Sequence, residues 1–270
     1  MNYKKLAYPY FLWSVLLIII PLIYIFILSI SITNGLSLSG IEFTSQNFFK
    51  ALEPIYVKAM FNSLFYGAIS TLICLLIGYP IAYFIAFSRS KYKNLLTILI
   101  LLPTWNSMLL RILAWEKLFL PNSILNMFGI SLDLIGTPIA IIIAMVSIYL
   151  PFMILPIITV LRKINPNLLE ASTDLYSTKK QTFFRVTLPL SVSGIISGFI
   201  MTFLPAATAF AIPERMSGGK ILLIGNIIEN QFMNTFNYNF GAMISLLIVI
   251  IIIVSMLIIN RFDSEGETLL

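Results

Sequence analysis

From Phe240 to Asn260 the sequence carries no charged side chain and few polar ones. A helix of about 20 such residues crosses the hydrocarbon core of a bilayer, and no soluble domain of ordinary size would need it. Five further segments meet or approach that length: Tyr10–Ile32, Ala59–Phe87, Leu95–Trp115, Thr137–Leu161 and Leu188–Ile212. A segment in lipid must satisfy its own backbone hydrogen bonds, so the sequence predicts an all-α polytopic membrane protein of six transmembrane helices. Composition agrees, with 59% of residues hydrophobic and 10% charged and a mean hydropathy of +0.97. Lys4 and Lys5 precede the first run as they would in a signal peptide. That run is too long and lacks an obvious small-residue cleavage site, so it reads as a span. Pro21, Pro80, Pro103, Pro151, Pro156 and Pro205 fall inside the spans, where each removes a backbone donor. Kinked helices packed on one another are the consequence.

Charge placement supplies an orientation. Alternate sides of the six spans divide the 17 basic residues into eleven and six. The first side holds Lys4, Lys5, Arg89, Lys91, Lys93, Arg162, Lys163, Lys179, Lys180, Arg185 and Arg261, and the second Lys50, Lys58, Arg111, Lys117, Arg215 and Lys220. The richer side is read as cytoplasmic, with both termini there. Six acids on the outer side cancel its six bases, so the formal charge of +6 lies wholly inside. That charge records topology, and a nucleic-acid partner is not expected.

The residue types available exclude several kinds of chemistry. There is no histidine, which removes the usual general base and the commonest metal ligand. Cys74 is the one cysteine and sits among Leu and Ile, as a packing residue would. Gly219-Lys220 has the look of a phosphate loop, but Ile221 follows where Ser or Thr is needed and Glu214 holds the first glycine position. No ATP site, metal or other cofactor is expected on this chain, and no enzymatic activity.

The longest inner loop, about residues 162–189, is the least apolar part of the core. Leu168, Leu169, Ala171, Ser172 and Leu175 recur at helical spacing, while Glu170 and Asp174 lie four apart on another face. This predicts a short amphipathic helix, followed by an N-cap at Ser177 or Thr178 and a run through Arg185 to Leu188-Pro189. Such a helix could lie on anionic lipid beside Lys179, Lys180 and Arg185, or dock a partner. Periodicity leaves both open.

The string "EASTDLYSTKKQTFFRVTLP" resembles the EAA loop of type I ABC-importer permeases, in which E-A-A is followed by Gly six positions after the Glu and then by L-P. Glu170, Ala171, Leu188 and Pro189 match, whereas Ser172 replaces the second Ala and Tyr176 the Gly. In the family that Gly permits a turn between two short helices; Tyr makes it costlier if a positive φ is required. Residues Ser193 to Phe232, with "GGKILLIGNIIENQF", are similar to the B-type permease of spermidine/putrescine importers. The resemblance implies a transport subunit in a bacterial cell membrane. It would pair with a second, homologous permease, with a cytoplasmic ATPase dimer that holds ATP and magnesium, and with an extracytoplasmic polyamine-binding protein. It also implies roles: Glu170 accepts a bond from a basic residue of the ATPase, Ala171 lets the helix seat closely, and the link through Arg185 and Pro189 passes motion to the fifth span. A tail with the first span (1–56), a permease core (57–262) and a polar tail (263–270) complete the expected organisation.

Other residues have two readings each. Gly194 and Gly198 form a GxxxG step suited to helix packing, or to a substrate path. Asn106, with Ser107, is polar at depth and would line the pathway or bond a neighbouring helix. Glu214, after Phe210 at the outer end of the fifth span, would neutralise an ammonium beside an aromatic face, pair with Arg215, or remain solvated. Rival classes fit less well. An importer for another small solute would share these features, but an ion-coupled secondary transporter would bury ionisable groups at midplane and show repeated halves, and a membrane enzyme would need a catalytic cluster. Neither signature is present.

In a Cys74→Ser background, Lys91→Cys and Lys180→Cys are expected to react with impermeant thiol reagents only from inside, and Lys50→Cys and Lys220→Cys only from outside. Labelling of Lys180→Cys from outside intact cells contradicts this topology.

Overall fold

The computed structural model describes Pro9, residues 12–33, Gly35, 41–88, 91–124, Gly129 and 133–260. Lys4, Lys5, Arg89, Arg261 and the 263–270 tail lie outside the described residues. The element order is α1 (Leu12–Ser29), a two-residue antiparallel pair β1 (Ser31–Ile32) and β2 (Glu42–Phe43), α2 (Gln46–Ala51) and α3 (Pro54–Phe87). Then come α4 (Lys93–Leu101), α5 (Met108–Phe119), α6 (Pro138–Leu161) and α7 (Pro166–Asp174). The chain goes on through α8 (Lys179–Leu190) and α9 (Val192–Ala207), α10 (Ala211–Met216), α11 (Ile224–Met233) and α12 (Tyr238–Asn260).

Helix starts follow local chemistry. Pro54, Pro138 and Pro166 each open a helix, where a missing N–H is harmless. The Thr137 side chain accepts from the Ala140 amide, and that of Asn165 from the Asn167 amide, capping α6 and α7. Pro80, Pro151, Pro156 and Pro205 sit within unbroken helices. Pro21 and Pro103 fall where helix geometry changes, after a π-helical turn at Val15–Ile19 and within a 3-10 turn at Leu102–Trp105. Such adjustments re-satisfy carbonyls that a proline frees.

Among the described residues four unbroken helices are long and apolar enough to cross a membrane (α1, α3, α6 and α12), and two bent pairs, each counted as one span, bring the number to six. The expected third span, Leu95–Trp115, is not one helix. It breaks by 86° between the 3-10 turn and α5, where Asn106 is extended, and it continues to Phe119. The expected fifth span, Leu188–Ile212, is also corrected. Its helix starts at Lys179, bends by 61° at Ser191 and ends at Ala207, so Glu214 lies on the separate helix α10. Dividing the chain after residue 56 cuts α3, which begins at Pro54.

α3, α6 and α9 form the inner unit, with α6 the most enclosed. Close approach of α9 to α6 depends on two glycines. A Cβ on Gly198 would stand 2.8 Å from the Met153 carbonyl oxygen, and one on Gly194 2.9 Å from Val160 Cβ, both too near for any side chain. Cys74 is fully buried in this core. α1 and α12 pack together at the periphery, tied by the Asn239 side-chain amide, which donates to the Leu28 carbonyl at 3.1 Å. Leu12, Leu16, Ile20 and Leu76 remain exposed, as lipid-facing residues are.

Members of the two basic groups stand at opposite ends, but Arg111, counted with the outer group, departs from this: its guanidinium donates to the Ile148 carbonyl, midway along α6, at 3.4 Å. At one end the Arg162 guanidinium donates to the Thr97 hydroxyl at 3.0 Å, and that hydroxyl donates to the Lys93 carbonyl at 3.0 Å. At the other, Arg215 approaches Glu116 at 3.8 Å, and the Gly136 amide donates to the Met216 carbonyl at 2.8 Å.

Candidate functional site

At the basic end, α7 and α8 fold into a compact unit. α7 closes on Tyr176: its amide donates to the Thr173 carbonyl at 2.9 Å, and the Ser177 amide to the Ser172 carbonyl at 3.2 Å. This paired closure needs a left-handed residue, and Tyr176 adopts φ +57°. The family glycine position thus requires a positive φ here, filled by a residue with a Cβ. Thr178, one of two expected caps, starts α8. Its amide donates to Gln181 Oε1 at 2.8 Å, and the Gln181 amide returns to Thr178 Oγ1 at 3.3 Å. Ser172, in place of the second alanine, is buried and shares a 3.0 Å hydrogen bond with the Thr182 hydroxyl. An alanine could not make this bond between the two helices.

The amphipathic face is therefore only partly used within the chain. Leu169 and Ser172 turn inward, while Leu168, Glu170, Ala171 and Asp174 are exposed. Leu175 and Tyr176 are 80% and 96% exposed at the tip. Arg185 and Pro189 are exposed along α8. A π-helical turn, Phe183–Thr187, contains Arg185 and precedes the proline before the chain bends into α9.

At the opposite end, Glu214 borders a cavity of about 430 Å³ with Tyr56, Asn226, Glu229, Asn230 and Gln231. Burial, and then the nearby charge of Glu214, hold the Glu229 carboxyl above the usual carboxylate range. Arg215 turns to Glu116 rather than to this cavity. Phe210 does not line it; its carbonyl instead accepts from the Asn226 side-chain amide at 2.9 Å. Asn106 is exposed at the α4–α5 break, apart from the cavity. Sequence reasoning missed Tyr56, Asn226 and Glu229. One cue was available, because Asn226, Glu229 and Asn230 recur at one-turn spacing and form a polar face.

Six spans, two of them broken, with one helix pair projecting from the basic end, define the class: a permease subunit of an ABC importer, multi-pass in the inner membrane and not itself an enzyme. The chain belongs to the family described as binding-protein-dependent transport system inner membrane components, whose profile matches residues 78–265. It is 37% identical over 256 residues to the spermidine/putrescine transport system permease protein PotB of Escherichia coli K12, covering 92% of this chain and 93% of that protein. With PotB of Haemophilus influenzae it shares 36% identity over 243 residues, 87% of this chain and 85% of the relative. Its fold matches a bacterial ABC transporter involved in import of the acidic polysaccharide alginate, with a TM-score of 0.79 at 16% identity, over 98% of this chain and 95% of that one. The inward-facing MetNI methionine ABC transporter matches with a TM-score of 0.61 at 18% identity, over 77% and 96%.

Tyr176→Gly is expected to preserve transport and to stabilise the α7–α8 junction by about 1 kcal/mol, the penalty for a Cβ in this conformation. Slower hydrogen exchange of the Ser177 and Gln181 amides would record it; faster exchange contradicts the strained turn.

Proposed function

We propose that this chain is the B-type permease of an ATP-driven polyamine importer, forming half of the translocation pathway. The observation that carries this reading is the 36–37% identity, along most of the chain, to permeases named for spermidine and putrescine. Its partners are a second homologous permease, a cytoplasmic ATPase dimer that holds ATP and magnesium, and an extracytoplasmic polyamine-binding protein. The basic end faces the cytoplasm, with both termini. There α7 seats in the ATPase: Glu170 accepts a charge-assisted hydrogen bond from a basic residue, and Ala171 allows close approach. Leu175 and Tyr176, exposed at the tip, bury apolar surface in that contact. Closure of the ATPase displaces α7, and α8, through Arg185 and Pro189, carries the movement to α9.

The outer cavity receives the solute. A polyamine loses water from several ammonium groups when it leaves its binding protein, and the Glu214 and Glu229 carboxylates replace part of that hydration. Tyr56 offers an aromatic face, the part first assigned to Phe210, while the side-chain amide oxygens of Asn230 and Gln231 accept from the remaining N–H groups. Arg215, occupied by Glu116, does not oppose the cation.

Proteoliposomes bearing the complete importer, with binding protein in excess, test this reading. The pair Glu214→Gln and Glu229→Gln should slow spermidine or putrescine uptake about tenfold, as loss of charge-assisted contacts implies, while basal ATP hydrolysis holds within about twofold. Unchanged uptake retires the cavity as the cation's entry, and a wild-type complex that moves no polyamine overturns the substrate.

A further inference from the structure

The bend between α8 and α9 is held from outside. Ser191, fully buried at the 61° elbow, donates its hydroxyl hydrogen to the Leu188 carbonyl at 2.9 Å. The same oxygen lies 2.8 Å from the hydroxyl of Tyr79, on α3, across 112 residues of chain. With the serine hydrogen committed, Tyr79 is the donor. Tyr79 is 8% exposed, so this bond is shielded from water. Eight residues earlier, Phe183 meets Tyr79 and Tyr83 edge-on, with ring centroids 5.8 and 5.5 Å apart. α3 therefore grips α8 at two points, one near its start and one at the elbow. The Ser172–Thr182 bond adds α7 to the same chain of contacts.

We propose that Tyr79 is a positioning residue for transport: its hydroxyl pins the Ser191 elbow to α3, so that displacement of α7 reaches α3 and α9 together instead of being absorbed as bending at Ser191. Without that hydroxyl, the Ser191 side chain keeps only its local bond to Leu188, and a helix joined at a single residue between two bent segments is free to hinge. The inner unit α3, α6 and α9 is close-packed, and a push delivered to two of its members moves a rigid body. The proposal rests on the reading of α7 as the element an ATPase displaces.

The test uses the complete importer. Tyr79→Phe retains the ring against Phe183 and removes only the hydroxyl. ATP hydrolysis should stay within about twofold of wild type, while solute moved per ATP falls about tenfold, the factor expected for one buried hydrogen bond. Ser191→Ala should lower the same ratio, and the double variant should be no worse than either single one, because both remove one interaction. A ratio unchanged in Tyr79→Phe, or hydrolysis and transport falling in proportion, overturns the pin. Hydrogen exchange on the same complexes gives a reading independent of solute: the Ser191 and Ile195 amides should exchange about tenfold faster in Tyr79→Phe, and unchanged exchange also overturns it. A wild-type complex that transports no polyamine refutes the assigned substrate, and the pin then stands or falls on exchange alone.

Discussion

Lipid supplies no hydrogen bonds, so every backbone group that a break in a spanning helix exposes must be satisfied by the protein itself. This requirement explains why α1, α3, α6 and α12 run uninterrupted, and it makes the two bent spans the informative ones. At the first break Pro103 lies in a 3-10 turn and Asn106 is extended. At the second, Ser191 has Leu188 on its own chain and Tyr79 across the bundle. A bend is inexpensive only where such partners exist. The second break is also where the projecting helix pair joins the inner unit, which places a mechanical junction at a satisfied hydrogen-bond site.

The projecting pair follows a different logic, because water can satisfy its backbone. Its form is set by local devices: the Asn165 cap, closure on Tyr176, and the reciprocal Thr178–Gln181 bonds. The two departures from the usual family pattern have distinct physical meanings. Ser172 adds a bond between the helices that alanine lacks, whereas Tyr176 takes a strained conformation and presents its ring to the outside. A strained residue that is also 96% exposed gains nothing within the chain. Its ring is available to a partner, which is consistent with a docking surface.

Much of this was legible in the sequence, and what was not has a common cause. Long apolar runs marked the spans, because the bilayer imposes a length on any helix that crosses it. Charge counts supplied an expected orientation but did not foresee Arg111 against the middle of α6, and E-A with L-P located the loop. The breaks at Asn106 and Ser191 were hidden, since hydropathy averages over a window and does not register a bend in an apolar segment. The cavity was half visible. Glu214 could be singled out alone, but Tyr56 precedes it by more than 150 residues and joins it only when α3 and α11 pack. The Tyr79–Ser191 bond was invisible for the same reason: a tyrosine and a serine in apolar helices carry no local signal of each other.

The central claim is that the exposed face of α7 meets a protein and does not rest on lipid, the alternative that periodicity left open. Photo-crosslinking from a probe at position 171, in membranes containing the assembled importer, distinguishes these directly. An adduct with the ATPase subunit that changes in yield when ATP is added is the expected result, since Ala171 is exposed on α7 beside Glu170. Adducts with phospholipid alone, insensitive to nucleotide, would contradict it.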